Sequence, residues 1–211
     1  MRSTKKLIFT ANILLLSSKA FCSGLYFGAA VGQSHSQDAG SASDLIWFIY
    51  TNINTESSDT KDTAFSAYFG YEFDFNEMCV GVEAGWIDFG ENTLYAEGQD
   101  FSPGGDGKRT ANITAEADAI TVSAQLKKAV VNDLSLFGRI GLSSWDVSCT
   151  LYGETYNALG DKTGSIFDSG SESGTDLYFG IGLEYKFIRV EFDRYKINET
   201  DTDYVSIGIK F

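Results

Sequence analysis

The sequence predicts an all-β fold, a closed antiparallel eight-stranded transmembrane β-barrel. Three observations predict it. Apolar and polar residues alternate with a period of two in eight separate segments, as they do along strands with one apolar and one polar face. The connections alternate between tight turns and long polar stretches, the arrangement of barrels whose turns face the periplasm and whose loops face outside. A basic start and a short apolar run read as an export leader.

The leader comes first along the chain. Arg2, Lys5 and Lys6 precede the mostly apolar run 7–16, which is shorter than the roughly 20 residues a membrane-spanning helix requires. Ala20, with Ser18 two positions earlier, offers a cleavage point, and cleavage after Cys22 is the alternative. Residues 1–22 are therefore assigned to a cleaved signal peptide and 23–211 to the barrel. Phe21 directly before Cys22, and Lys19 three before it, argue against a lipid anchor.

The eight strands follow in order. Leu25, Phe27, Ala29 and Val31 alternate with Tyr26, Gly28, Ala30 and Gly32. Phe65, Ala67, Phe69, Tyr71 and Phe73 form the apolar side of the second segment, and Val80, Val82, Ala84 and Trp86 that of the third. Ile120, Val122, Ala124 and Leu126 alternate with Thr121, Ser123, Gln125 and Lys127. Leu136, Ile140 and Leu142 alternate with Phe137, Arg139, Gly141 and Ser143. The last three segments run from Leu177 to Tyr185, around Val190 and Phe192, and from Val205 to Phe211.

Tight turns are expected at 75–77, 132–133 and about 186–188, with a short connection at about 198–202. Asn132-Asp133 suits a two-residue hairpin, since both residues tolerate positive φ. Residues 37–62, 91–116 and 151–174 are expected as long polar loops. Within the first, residues 45–50 (Leu-Ile-Trp-Phe-Ile-Tyr) form a continuous apolar run. It reads as barrel wall extended above the membrane, as side chains resting in the interface, or as an exposed adhesive patch.

The narrow lumen of an eight-stranded barrel decides which face points inward. Small and charged residues fit inside it, and rows of Phe, Leu and Ile suit lipid. Glu83, Lys127 and Arg139 fall at similar mid-barrel heights on the polar face, counted from their turns at about 3.3 Å per residue. An Arg139–Glu83 pair with Lys127 as neighbour is expected, in a network with Glu72, Glu184 and Glu191, because a buried charge needs a partner. Tyr71, Phe73, Trp86, Trp145, Tyr185 and Tyr195 lie near strand ends and are expected as interfacial girdles.

Composition narrows the function. The net charge is −13. The first 20 residues hold four bases and no acid, so the remainder carries 16 − 4 = 12 basic against 29 acidic residues. That balance opposes nucleic-acid binding. Cys79 and Cys149 fall at opposite barrel ends, beyond the roughly 7 Å Cα separation of a disulfide, so both are expected as unpaired thiols. The loop acids show no EF-hand-like spacing and read as solvated charge. The single histidine, His35, has Ser34 and Ser36 beside it but no fixed second catalytic element. No catalytic, cofactor or metal site is expected, and the chain is read as a non-enzyme. A lipid-modifying barrel enzyme, a narrow low-conductance pore and a soluble lipocalin-like carrier are the competing readings.

Several segments carry a family resemblance: Gly24-Leu25-Tyr26-Phe27-Gly28-Ala29, Phe69-Gly70-Tyr71-Glu72-Phe73, Gly180-Ile181-Gly182-Leu183-Glu184-Tyr185 and Glu191-Phe192-Asp193-Arg194-Tyr195. With them, residues 24–211 resemble the eight-stranded transmembrane domain of outer membrane protein A and the opacity-type surface proteins. The resemblance implies the bacterial outer membrane, a charged lumen matched here by Glu83, Lys127 and Arg139, and a structural or surface-interaction role in adhesion or envelope integrity. It also implies lipid and lipopolysaccharide as surroundings, and an extracellular partner through 37–62, 91–116 and 151–174. The ending Ile207, Ile209, Phe211 resembles the strand signal read by the β-barrel assembly machinery, with Ser206 where a glycine is common. The chain stops at its last strand, so no periplasmic peptidoglycan-binding domain is expected.

Overall fold

The computed structural model describes residues 23–37, 51–100 and 107–211; the leader and the apolar run 45–50 lie outside the described residues. Among the described residues nine strands follow one another: β1 (Gly24–Ser36), β2 (Thr51–Asp59), β3 (Lys61–Phe75), β4 (Met78–Asp100), β5 (Gly107–Val131), β6 (Leu134–Tyr156), β7 (Lys162–Tyr185), β8 (Ile188–Ile197) and β9 (Thr200–Lys210). All pairings are antiparallel. β1 and β3 to β9 close a ring of eight strands, and β2 lies outside it against β4. Closure satisfies every strand edge of the ring, as hydrocarbon requires.

The turns are set by local chemistry. Asn76, Asn132, Lys186 and Asn198-Glu199 adopt positive φ, the conformation of two-residue hairpin turns. The connection expected at 198–202 is only this Asn198-Glu199 pair, since β9 begins at Thr200.

The outer face carries Phe27, Phe65, Phe69, Val82, Val122, Ile140, Leu177, Ile181 and Ile207, all exposed in the isolated chain. This apolar belt faces lipid. Tyr71, Phe73 and Tyr185 lie on it close to the periplasmic turns, and Trp86 lies near its opposite limit. Trp145 and Tyr195 do not join the girdles. They are 4% and 3% exposed and point inward, because each shares the parity of the lumen residues on its own strand, Arg139 and Ser143 on β6 and Glu191 and Asp193 on β8.

The largest departure from expectation concerns the loops. β4 continues to Asp100, β5 begins at Gly107, β6 reaches Tyr156 and β7 begins at Lys162. Most of 91–116 and 151–174 is thus hydrogen-bonded sheet, and 51–59 of the first loop is β2. Outside the membrane both faces of a strand can be polar, so these segments lack the apolar period that marks a strand in sequence, although Thr, Ile and Tyr favour β structure there. At the β6–β7 tip, the Asn157 side-chain oxygen accepts from the N–H groups of Leu159 (2.9 Å) and Asp161 (2.8 Å).

A bulge divides the membrane part of β4 from its outer part. The β4–β5 register shifts between Asp88 and Glu91. Gly90 there has φ 77°, and a Cβ on it would strike the Asp62 carboxylate. The extra residue reverses which face each later side chain takes, so inward positions pass from odd (Ile87, Phe89) to even (Leu94, Ala96).

The cysteines also depart from expectation. Cys149 is a free, exposed thiol on the external part of β6. Cys79, 3% exposed near the periplasmic end of β4, is disulfide-bonded.

Candidate functional site

Alternation brings the charged residues of seven strands into one lumen, in layers. Nearest the periplasm, Lys127 on β5 contacts Glu72 on β3 (2.6 Å) and Glu184 on β7 (2.9 Å). Lys210 on β9 joins the same two carboxylates at 2.5 and 3.0 Å and lies 4.0 Å above the Tyr26 ring. Above them Arg189 on β8, 1% exposed, reaches Glu83 at 2.6 Å and contacts Glu191 and the Gln125 side chain. Its guanidinium stacks over the rings of Phe137 (4.3 Å) and Tyr68 (4.6 Å), a favourable cation–π arrangement once desolvated. Higher still, Arg139 on β6 reaches Glu83 and Glu191, each at 2.6 Å, and holds both oxygens of Asp193 at 2.8 and 2.5 Å.

All six sequence-derived lumen residues lie in this network, with one difference in partnership. Lys127 contacts Glu72 and Glu184 instead of neighbouring the Arg139–Glu83 pair. Four members were overlooked: Arg189, Asp193, Lys210 and Tyr26, whose hydroxyl donates to Glu83 at 2.9 Å. Parity along β1, β8 and β9 points all four inward and could have found them. Four cations thus face the five carboxylates Glu72, Glu83, Glu184, Glu191 and Asp193. Near-neutral pairing with multiple charge-assisted bonds is what makes such burial tolerable.

An aromatic layer lies on the extracellular side of the charges. Tyr178 and Tyr195 stack at 4.7 Å, and Phe89 meets Tyr195 edge-on at 5.0 Å. Trp145, Ile87, Ile197 and Tyr204 belong to the same cluster, with Ala64 and Ala119. Two of the polar tips are satisfied: Trp145 donates to Asp176 (2.8 Å), and Tyr204 and Ser66 share a hydrogen bond of 3.1 Å. The lumen is filled by side chains at two levels, ionic below and aromatic above.

Beyond this layer an apolar cup of about 350 Å³ opens outward, lined in part by Phe89, Leu94, Ile113, Ala115, Val147 and Ile197. Its wall is an external sheet in the order β2-β4-β5-β6-β7. This sheet continues about ten residues past the membrane belt, or about 30 Å along the strands. β8 pairs with β7 only from Tyr178 to Tyr185. Among the described residues, the outer half of β7 therefore has a strand partner only in β6. Near the tip, Glu154 accepts from Lys162 (2.5 Å), Tyr152 (2.7 Å) and Tyr156. The Lys162 bond and then the two tyrosine hydroxyls hold its carboxyl down to a pKa of about 2.

The serines beside His35 do not form a catalytic pair with it. Ser34 and Ser36 point inward, where Ser34 donates to the Phe89 carbonyl and Ser36 accepts from Asn92 at 3.1 Å. His35 has the opposite parity, and its Nδ1 lies 3.3 Å from the Thr60 hydroxyl. Among the described residues no cluster of His, Cys, Asp or Glu is arranged to hold a metal ion.

The model of the OmpA-like transmembrane domain matches residues 22–211. The chain belongs to this family. It is an OmpA-like transmembrane β-barrel of the bacterial outer membrane. Comparison with curated proteins gives no match. Among solved structures, similarity is found to Ail, the attachment invasion locus protein of Yersinia pestis, solved with the heparin analogue sucrose octasulfate. That pair shares 14% identity over 89% of this chain and 99% of Ail, with a TM-score of 0.42. Neisserial surface protein A shares 14% identity over 89% of this chain and 96% of its own, with a TM-score of 0.37.

Proposed function

We propose that this OmpA-like barrel is a non-conducting, non-enzymatic membrane anchor that presents a rigid β-sheet platform to partners outside the cell. The observation that carries this reading is the continuation of β4 to β7 as paired sheet beyond a lumen filled at two levels. A pore would need a connected polar path, and the aromatic layer interrupts it. An enzyme would need a nucleophile or metal beside a base, and His35 faces away from its serines. A platform needs only rigidity and an accessible face or edge, and the sheet supplies both. The outer half of β7 offers backbone groups to an added strand, a recurrent mode of peptide recognition.

Charge selects among partners. Asp88, Glu91, Glu116, Asp118 and Asp146 crowd the outer face at the platform base, and acids outnumber bases across the mature chain. Such a surface favours cationic or neutral partners over polyanions. Adhesion is thus the role this geometry supports best, with lipopolysaccharide around the barrel and the assembly machinery as its insertion partner.

The test is a shortened barrel in which 92–115 and 148–171 are replaced by tight turns. It should still insert and show heat-modifiable migration on gels, while cells carrying it lose attachment to the surfaces that wild-type cells bind. Undiminished attachment by the shortened form would refute the platform reading. Stable single-channel conductance from the wild-type barrel in planar bilayers would revive the pore.

A further inference from the structure

We infer that the outer face of the platform tip binds an uncharged oligosaccharide on a foreign surface, through two copies of one tyrosine–glutamate–lysine unit. This rests on the platform reading and names its partner. The sequence repeats a short motif, Leu94-Tyr95-Ala96-Glu97 on β4 and Leu151-Tyr152-Gly153-Glu154 on β6. Both strands run outward as the first arm of an external hairpin, and β5 lies between them. Alternate strands of an antiparallel sheet run in the same direction, so the repeat becomes two units side by side. In each unit leucine takes the concave side, and tyrosine and glutamate take the outer face.

The two units make the same contacts. Tyr95 donates to Glu97 at 2.9 Å, and Lys108 from β5 reaches the same carboxylate at 2.7 Å. Tyr152 donates to Glu154 at 2.7 Å, and Lys162 from β7 reaches it at 2.5 Å. The Lys108 bond and then the Tyr95 hydroxyl hold the Glu97 carboxyl below its usual range, as their counterparts do at Glu154. Register sets the rings in one row across the sheet: Tyr95 lies opposite Asn112, Asn112 opposite Tyr152, and Tyr152 opposite Phe167. The two tyrosines are two strand spacings apart, about 9.6 Å. Tyr152 and Phe167 are 44% and 69% exposed. On the tip side of the row lies a cleft of about 510 Å³, lined in part by Gln99, Lys108, Tyr156 and Asn157.

This combination selects a sugar. A sugar ring presents C–H faces that stack on aromatic rings, and a rim of hydroxyls that both donate and accept. Carboxylates fixed by lysine, with the amides of Gln99, Asn112 and Asn157, suit such a rim. A strand-adding peptide has no foothold on this face. Here β4, β5 and β6 are paired on both sides, so a partner meets side chains only. Charge sets the class of sugar. In the two units two glutamates face two lysines, whereas Asp88, Asp118 and Asp146 form a cross-strand row on the same face, about 20 Å nearer the membrane. A balanced tip above an acidic base disfavours sulfated chains and leaves neutral ones. The row sits at the far end of the platform, so the sugar belongs to a surface the cell meets and not to the lipopolysaccharide beside the barrel.

The test uses the full barrel in phosphatidylcholine nanodiscs on an array of neutral tetrasaccharides of glucose, galactose, mannose and N-acetylglucosamine, with sulfated counterparts. Binding to a neutral member, above its sulfated form, is expected. Tyr95→Ala and Tyr152→Ala should each weaken it about tenfold, and together abolish it, with heat-modifiable migration unchanged. Silence across the neutral members, preference for the sulfated forms, or full binding by the double variant would overturn the inference. The comparison of neutral with sulfated probes needs only wild-type protein, so it decides the matter even if the variants fail to assemble. Nanodiscs carrying the cell's own lipopolysaccharide should bind the probe equally well; loss of binding there would assign the site to that lipopolysaccharide and overturn the foreign source. If cells with the double variant attach as wild type does while the shortened barrel does not, the platform reading stands and the sugar site falls.

Discussion

Replacing Arg139 by alanine should strand one carboxylate, Asp193, and the structure sets the size of the effect. Arg139 is the shared partner of Glu83, Glu191 and Asp193. Without it Glu83 keeps Arg189 at 2.6 Å and the Tyr26 hydroxyl at 2.9 Å, and Glu191 keeps its contact with Arg189. Asp193, with no exposed surface, loses both of its bonds to the guanidinium. The cost is therefore that of one uncompensated buried charge, about 3–5 kcal/mol, and not three times that. Asp193→Asn in the Arg139→Ala background should recover part of it, with a coupling of about 0.5–3 kcal/mol between the two sites. Glu83→Gln should recover less, because Arg189 then loses a partner. The assay is urea unfolding in lipid vesicles, followed by tryptophan fluorescence and by gel migration, with free energies taken by linear extrapolation. Additivity of Arg139→Ala and Asp193→Asn to within about 0.5 kcal/mol would refute the assignment of Asp193 as the dependent partner.

Val122→Arg places a charge on the lipid face of β5, between the outward Asp118 and Lys128, and should destabilise the barrel by about 2–4 kcal/mol; the adjacent lumen change Ser123→Ala should cost far less, and the reverse ranking in vesicle unfolding would invert the faces. Phe211→Ser keeps the backbone bonds that Phe211 makes to Phe27 but removes the terminal ring, so it should lower outer-membrane levels more than the stability of refolded protein; equal levels at native expression would argue against Phe211 as an assembly signal. At the platform tip, the Glu154 carboxyl should titrate with a midpoint of about 2. Because its folded pKa is depressed, its contribution to local order is complete above the ordinary carboxylate range and is lost as pH falls through about 2. Carboxyl-carbon NMR checks this, and a midpoint near 4.5, the unperturbed value, would remove the proposed bonds from Lys162 and the tyrosines.

Strand number in the ring, facing and turn positions were legible in the chain because their causes are local. Alternation fixes which side of a strand meets lipid, and Asn76, Asn132 and Asn198 mark turns through their own tolerance of positive φ. Inward parity was equally readable for Arg189, Asp193 and Lys210, which were overlooked, and for Trp145 and Tyr195, whose place near strand ends suggested girdles instead. Tertiary structure alone decided who meets whom. Arg189 and Glu83 are 106 residues apart in sequence, and Arg139 and Asp193 are 54 apart. Ring closure and register set these meetings, and counting residues from a turn gives height along the axis but not direction across the lumen. That is why Lys127, placed at the height of Arg139 and Glu83, contacts Glu72 and Glu184 instead. The external platform was hidden for a different reason. Within the membrane, lipid on one face and protein on the other impose a period of two on the sequence. Outside it, water meets both faces, the period vanishes, and only backbone pairing shows that 91–100 and 107–116 are strands.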